Sequence, residues 1–176
     1  MNVLVLSGGP RKHGRSAIAA KCIAENHKTD LIDLSQFALP LFTGEESQPA
    51  DSQVKKLKEA AEKADGFVLL SPEYHGGISG ALKNALDFLN SGYFAQKPVA
   101  LVSVAGGGKG GINTLNQMRT IMRALYANTI AKQLVLDPHC FDMEAKALHA
   151  EPAGLVNELM DELALYLEIS KQIRKL

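Results

Sequence analysis

A chain of 176 residues is near the ~150 of a typical domain, so a single domain over 1–176 with a buried core is expected. Lysine plus arginine and aspartate plus glutamate each count 19, a formal net charge of zero, which argues against a nucleic-acid binder, because that role needs surplus cations to displace counterions from phosphates. With 46% hydrophobic and 22% charged residues the composition is that of a globular domain and excludes a disordered one.

In chain order, Val3 to Leu6 is a nearly uniform apolar run and predicts a central strand covered on both faces. Residues 15–26 predict a helix, and the more mixed Leu31 to Leu34 an edge strand. Thr43 to Pro49 is short and polar, a loop rather than a domain boundary. Residues 51–64 predict a helix and Phe67 to Leu70 a second central strand. Leu82, Ala85, Leu86 and Leu89 form a helical stripe, followed by the apolar strand Val99 to Val104. Leu115, Met118, Met122 and Leu125 make the next stripe, Ile130 to Leu136 another edge strand, and Val156, Met160, Leu163 and Leu167 the last stripe.

Strand and helix thus alternate five times. Right-handed crossovers turn that alternation into a parallel sheet with helices on both faces. The expectation is an α/β fold: a doubly wound, flavodoxin-like five-stranded parallel sheet in the order 2-1-3-4-5. Ligands of such sheets bind beyond the carboxyl ends of the strands, where the winding reverses. Of 15 glycines, eleven fall in three knots: Gly8, Gly9 and Gly14; Gly76, Gly77 and Gly80; Gly106, Gly107, Gly108, Gly110 and Gly111. Each knot follows one of the apolar strands, so three backbone-rich loops are expected to converge on one site.

The first loop, Ser7 to Ser16, leaves a strand and enters a helix, and so presents backbone N–H groups at the positive end of a helix dipole. The hydroxyls of Ser7 and Ser16 with the cations Arg11, Lys12 and Arg15 suit a phosphate. Pro10 breaks the G-x-G-x-x-G spacing of a dinucleotide fingerprint. Gly9 to Ser16 is one residue from a P-loop, but Arg15 replaces the lysine that reaches terminal phosphates, and a guanidinium is not its equivalent. In the second loop Pro72 fixes an extended turn, Tyr74 offers a flat surface with a polar tip, and the glycines let backbone approach a planar ligand. The third loop, 105–111, carries almost no side chains and leaves room over a ligand.

Ser-Gly-Gly-Pro-Arg at 7–11, Pro-Glu-Tyr-His-Gly at 72–76, Ala-Leu-Lys-Asn-Ala-Leu-Asp at 81–87 and the glycine loop at 106–111 resemble the NADPH-dependent FMN reductase family, close to its small bacterial azobenzene reductases. The resemblance implies tightly bound, non-covalent FMN with NADPH or NADH as electron donor. It implies that Ser7, Arg11, Gly14, Arg15 and Ser16 hold the FMN phosphate. Pro72, Glu73, Tyr74, His75 and Gly76 would border the isoalloxazine, and Ser103, Ala105, Gly106 and Gly107 would close its other edge. His75 stands where the family often has Asn, and the first loop carries an extra basic stretch. Dimers or dimers of dimers are also implied, an expectation that the apolar excess of the C-terminal helix (Leu155, Leu159, Leu165) supports.

The expected reaction is two-electron transfer by ping-pong exchange through one pocket, to azo compounds, quinones, free flavin or similar small acceptors. No dedicated catalytic side chain is required, since the flavin carries the chemistry; His75 is a candidate helper. The competing readings are a flavodoxin-like one-electron carrier, disfavoured by zero net charge and the absence of Trp, and a P-loop-like phosphohydrolase. Cys22 and Cys140 form no disulfide framework or C-x-x-C motif, and Cys22 is expected to be a small buried hydrophobe. Asp137, His139, Cys140 and Asp142 match no zinc spacing, so no metal is expected. The N-terminus lacks the regions of a signal peptide, and no apolar run approaches the ~18 residues of a membrane span. A cytoplasmic protein without membrane or nucleic-acid partners is expected.

Overall fold

The structure is a computed structural model and describes residues 1–107 and 110–173. The first strand, β1 (Val3–Ser7), is buried throughout and feeds helix α1 (Arg15–His27). Next come β2 (Asp30–Asp33), a 3₁₀ turn at Gln48–Ala50 and α2 (Ser52–Lys63). Asp51 caps α2, its side chain accepting from the N–H groups of Gln53 and Val54. Then follow β3 (Gly66–Pro72), α3 (Gly80–Asp87), the short α4 (Ser91–Phe94) and β4 (Pro98–Val104). The chain continues through α5 (Ile112–Ala124), β5 (Asn128–Leu136), the small antiparallel pair β6 (Phe141–Asp142) and β7 (Ala147–Leu148), and ends in α6 (Ala150–Ile173).

The main sheet has the order β2-β1-β3-β4-β5 with every pair parallel. Both expected edge strands lie at the edges, and the three apolar strands are central. Their uniform hydrophobicity has a simple cause: successive side chains point to opposite faces, and both faces are covered. Val3, Val5, Val68, Leu70, Ala100 and Val102 belong to the core shared with α1 and α6. Leu4, Leu6, Phe67, Leu69, Val99 and Leu101 belong to the core shared with α2, α3 and α5. The helical stripes follow suit, since Leu82, Ala85, Leu86, Leu89, Leu115, Met118, Met122, Val156, Met160, Leu163 and Leu167 are all buried.

Three features depart from the sequence expectation. The β6–β7 pair and α4 are too short to leave a period in the sequence. Cys22 is only partly buried, packed at the margin of one core. Strand β5 starts earlier than expected, and its register slips: Val99 faces Thr129 while Leu101 faces Gln133, so β5 advances four residues as β4 advances two. This bulge is held from both sides. The Arg119 guanidinium donates to the carbonyls of Ile130 and Ala131, both at 3.0 Å, and to Gln133 Oε1 at 2.6 Å. On the other face the Lys132 N–H donates to Glu162 Oε1 at 2.9 Å, and Lys132 Nζ pairs with Glu158 at 2.7 Å.

Candidate functional site

Winding reverses between β1 and β3, and the loops after β1, β3 and β4 meet beyond the carboxyl ends of these strands. The first loop is tied to its neighbours through Gly8: its N–H donates to the Leu70 carbonyl at 2.7 Å, and its carbonyl accepts from the Ser79 hydroxyl. Ser79 in turn caps α3 by accepting from the Leu82 N–H at 3.0 Å. Helix α1 begins with Gly14 at its N-cap, no side-chain cap and no acid in its first turn. Its leading N–H groups therefore stay available to an anion.

The second loop carries a tight turn. Tyr74 and Gly77 exchange both backbone hydrogen bonds, at 2.9 and 3.1 Å, and the two central residues, His75 and Gly76, have φ of 52° and 79°. Two positive φ values in a two-residue connection are the geometry of a type I′ turn, which prefers Asn-Gly. That preference explains why an Asn is at home at position 75, and why a His, enriched among left-handed residues, can replace it. In the third loop the Ala105 N–H donates to the Leu136 carbonyl at 3.0 Å, and Gly106 and Gly107 are exposed.

These loops enclose a cavity of about 320 Å³, at the low end of small-molecule sites, which run to ~1,000 Å³. Gly9, Arg11, Gly14, Arg15 and Ser16 of the first loop line one end. Pro72 at the end of β3 with Glu73 and Tyr74 of the second loop, and Val104 at the end of β4 with Gly106 of the third, line the rest. One end therefore has two guanidinium groups, a hydroxyl and a helix N-terminus, and the other has an aromatic ring, a proline, a carboxylate and bare backbone. Arg11 lies over the Tyr74 ring, 5.9 Å from its centroid, and links the two ends. Arg15 reaches toward the third loop, with Nη2 3.9 Å from where a Cβ on Gly106 would stand.

Of the residues expected at the site, Arg11, Gly14, Arg15, Ser16, Pro72, Glu73, Tyr74 and Gly106 line this cavity. Ser7, His75, Gly76, Ser103, Ala105 and Gly107 do not. Ser7 and Ser103 are fully buried at the ends of β1 and β4, and neither hydroxyl has a hydrogen-bond partner. His75 is exposed on the turn, next to the lining residue Tyr74. Gly108 and Lys109 lie outside the described residues. Gly9, part of the first glycine knot, and Val104, inside the Ser103 to Gly107 stretch, line the cavity as well. Gln117, which accepts from the Ile78 N–H at 2.7 Å, carries no sequence signal of its contact with the second loop.

Among the described residues no three His, Cys, Asp or Glu side chains converge on a metal position, the Asp137–Asp142 segment included. A larger hollow of about 810 Å³ lies outside α1, lined by Lys21, Glu25 and Cys22 among others. It lacks the convergence of strand ends and backbone donors that marks the smaller cavity.

The model of the NADPH-dependent FMN reductase family matches residues 1–141. The chain belongs to the NADPH-dependent FMN reductase family. It is accordingly an FMN-dependent NAD(P)H oxidoreductase. It is 48% identical over 176 residues to an NADPH azoreductase of Bacillus sp. (strain OY1-2), with 99% of this chain and 97% of the relative covered. It is 34% identical over 146 residues to an FMN-dependent NADPH-azoreductase of Staphylococcus aureus, with 76% of each covered. Among solved structures, an oxidoreductase of Corynebacterium diphtheriae superposes with a TM-score of 0.77 at 19% identity, covering 95% of this chain and 97% of that one. The flavoenzyme NAD(P)H:(acceptor) oxidoreductase FerB of Paracoccus denitrificans gives 0.73 at 18% identity, covering 97% of each. At those identities the structures show the shared flavodoxin-like fold. The cavity fits the family's cofactor by its own chemistry, anion donors at one end and a flat, partly apolar slot at the other.

Proposed function

We propose that the protein is an azoreductase-type enzyme in which donor and acceptor use one opening in turn, a ping-pong exchange. The observation that carries this reading is the two-ended cavity, cationic and helix-capped at one end, planar and bare at the other. Arg11, Arg15, Ser16 and the first N–H groups of α1 bind the FMN phosphate, with charge-assisted bonds and the helix dipole acting together. Pro72, Glu73 and Tyr74 border the ring on one side, and Val104 and Gly106 on the other. Bound FMN supplies the two-electron chemistry, accepting from NADPH or NADH and passing on to the acceptor. The side chains orient the ring, and the exposed Gly106 and Gly107 leave one approach open to a flat substrate.

Relatives named as azoreductases make azo compounds the first acceptors to test. Quinones, free flavin and other small electrophiles fit the same opening. No residue lining the cavity is needed as an acid or base, and His75, exposed on the turn, is not among the lining residues. Ser7 and Ser103 act behind the cavity wall. The apolar side chains Leu155, Leu165 and Ile169, 44–60% exposed on α6, support association into a homodimer or homotetramer. Among the described residues no helix is long and apolar enough to cross a membrane.

Anaerobic stopped-flow mixing tests the reading. Holoprotein should lose its flavin colour on mixing with NADPH or NADH and regain it when an azo dye is added in a second mix, with parallel double-reciprocal plots in the steady state. Failure of both nucleotides to bleach the flavin would overturn it, and intersecting plots would remove the alternating exchange. A stable one-electron state on photoreduction would favour an electron carrier instead.

A further inference from the structure

The second loop is attached to α5 at both of its ends. At its start the Glu73 carboxylate accepts the Thr114 N–H at 3.1 Å, and at its end the Ile78 N–H donates to Gln117 Oε1 at 2.7 Å. Thr114 and Gln117 are three positions apart and so share one face of the helix. Between the attachments lies the Tyr74–Gly77 turn, whose first residue lines the cavity. The Gln117 amide also occupies the space that a side chain at position 77 would take, because a Cβ on Gly77 would stand 2.7 Å from its Oε1. The glutamine and the glycine are thus fitted to each other.

We infer that Gln117 is a positioning residue for the redox site, fixing how closely the second loop stands over the FMN ring. The inference rests on the FMN-binding reading above. Helix α5 does not depend on Gln117 for its own place: Leu115, Met118 and Met122 are buried in the core, and Arg119 is bonded to β5. Gln117 is exposed and buries nothing comparable. What depends on it is the loop. Ser79 is anchored independently, its N–H donating to Ser71 Oγ at 3.0 Å and its hydroxyl to Gly8. For residues 74–78 the hydrogen bonds among the described residues are the reciprocal pair inside the turn and the one to Gln117. Releasing Ile78 removes the side-chain hydrogen bond that holds this stretch to α5 beyond Glu73, and leaves the Arg11 contact with the Tyr74 ring and the packing of Ile78 on the core to restrain the turn that Tyr74 opens.

Three single variants separate this role from a merely structural one. Gln117→Ala removes the acceptor, Gln117→Glu keeps an oxygen at the same reach, and Gly77→Ala drives the amide away while leaving it in the sequence. FMN titration of the apoprotein should show binding about three- to ten-fold weaker for Gln117→Ala and Gly77→Ala, the range of one hydrogen bond. The visible band and midpoint potential of bound FMN should shift in the same direction in both. Gln117→Glu should match wild type, and Gly77→Ala added to Gln117→Ala should change little further, since the obstacle is gone. Affinity for inorganic phosphate and the thermal midpoint should stay at wild-type values. Unchanged FMN affinity and spectrum in Gln117→Ala would overturn the inference, as would a loss that simply follows a lowered thermal midpoint. Wild-type apoprotein that binds no FMN would instead overturn the cofactor reading, and the inference with it.

Discussion

Glu73 Oε2 accepts the backbone N–H of Thr114 at 3.1 Å, so a loop following β3 caps a helix that follows β4. Helix α5 has no side-chain cap of its own, because Gly111 stands at its N-cap. Glu73→Ala should therefore lower stability by about 1 kcal/mol, the worth of an N-cap, or about 2–4 °C in thermal midpoint for a chain of this size. Glu73→Gln keeps an oxygen acceptor and should lose less. Thermal unfolding of the two apoproteins checks the order.

Arg15 is expected to act chiefly on the phosphate end, though its guanidinium reaches toward Gly106. Arg15→Ala should weaken FMN roughly 10- to 100-fold, the loss of charged hydrogen bonds, and leave riboflavin affinity nearly unchanged. Equal losses for both flavins would place Arg15 at the ring. Paired fluorescence titrations with the two ligands give the answer.

His75 sits in the left-handed region at φ 52°. Replacement by Asn should hold or raise the thermal midpoint and leave the pH profile of turnover unchanged, because the turn favours Asn and the ring has no chemical task. Replacement by Val, a β-branched residue, should cost about 1–3 kcal/mol. A pH profile altered by His75→Asn would restore the histidine as a proton donor.

Removing Arg119 leaves the carbonyls of the β5 bulge without their donor. Arg119→Ala should cost about 2 kcal/mol and lower the thermal midpoint by about 4–8 °C, while FMN affinity changes little because the bulge lies away from the cavity. Denaturant titration beside flavin titration separates the two effects.

The two thiols should react at very different rates. Burial pushes the Cys140 thiol above its usual range, with the charges of Asp137 and Glu151 adding to the effect and a backbone hydrogen bond from Asp137 opposing it. Thiolate is the reactive form, so raising the pKa slows attack. Cys22 lines an open hollow. A chromogenic disulfide at mildly alkaline pH should label one thiol quickly, and Cys22→Ser should abolish that phase.

The strands and their order were legible because burial on both faces writes itself into sequence as unbroken runs such as Phe67 to Leu70. The converging loops were legible because backbone approach requires glycine. Contacts made by single polar side chains across long separations were not, as with Gln117 to Ile78 or Glu73 to Thr114, since nothing local marks them. Ser7 and Ser103 show a subtler limit. Their place at strand ends pointed to the ligand, but alternation along the strand turns a side chain inward or outward, and the motif alone does not say which. Ser103 faces the start of α5, where a Cβ on Gly111 would collide with its hydroxyl.

The slipped register between β4 and β5 has a consequence for how copies of this protein behave when crowded. β5 closes one side of the sheet, and an uninterrupted edge of that kind is a template onto which a strand from another chain can add. Here the ladder is broken midway, its spare carbonyls are occupied by Arg119, and Lys132 is drawn to the acids of α6. The carbonyls of Ile130 and Ala131 and the N–H of Lys132 are thus already bonded within the chain, which interrupts that edge at its middle as a template for an added strand.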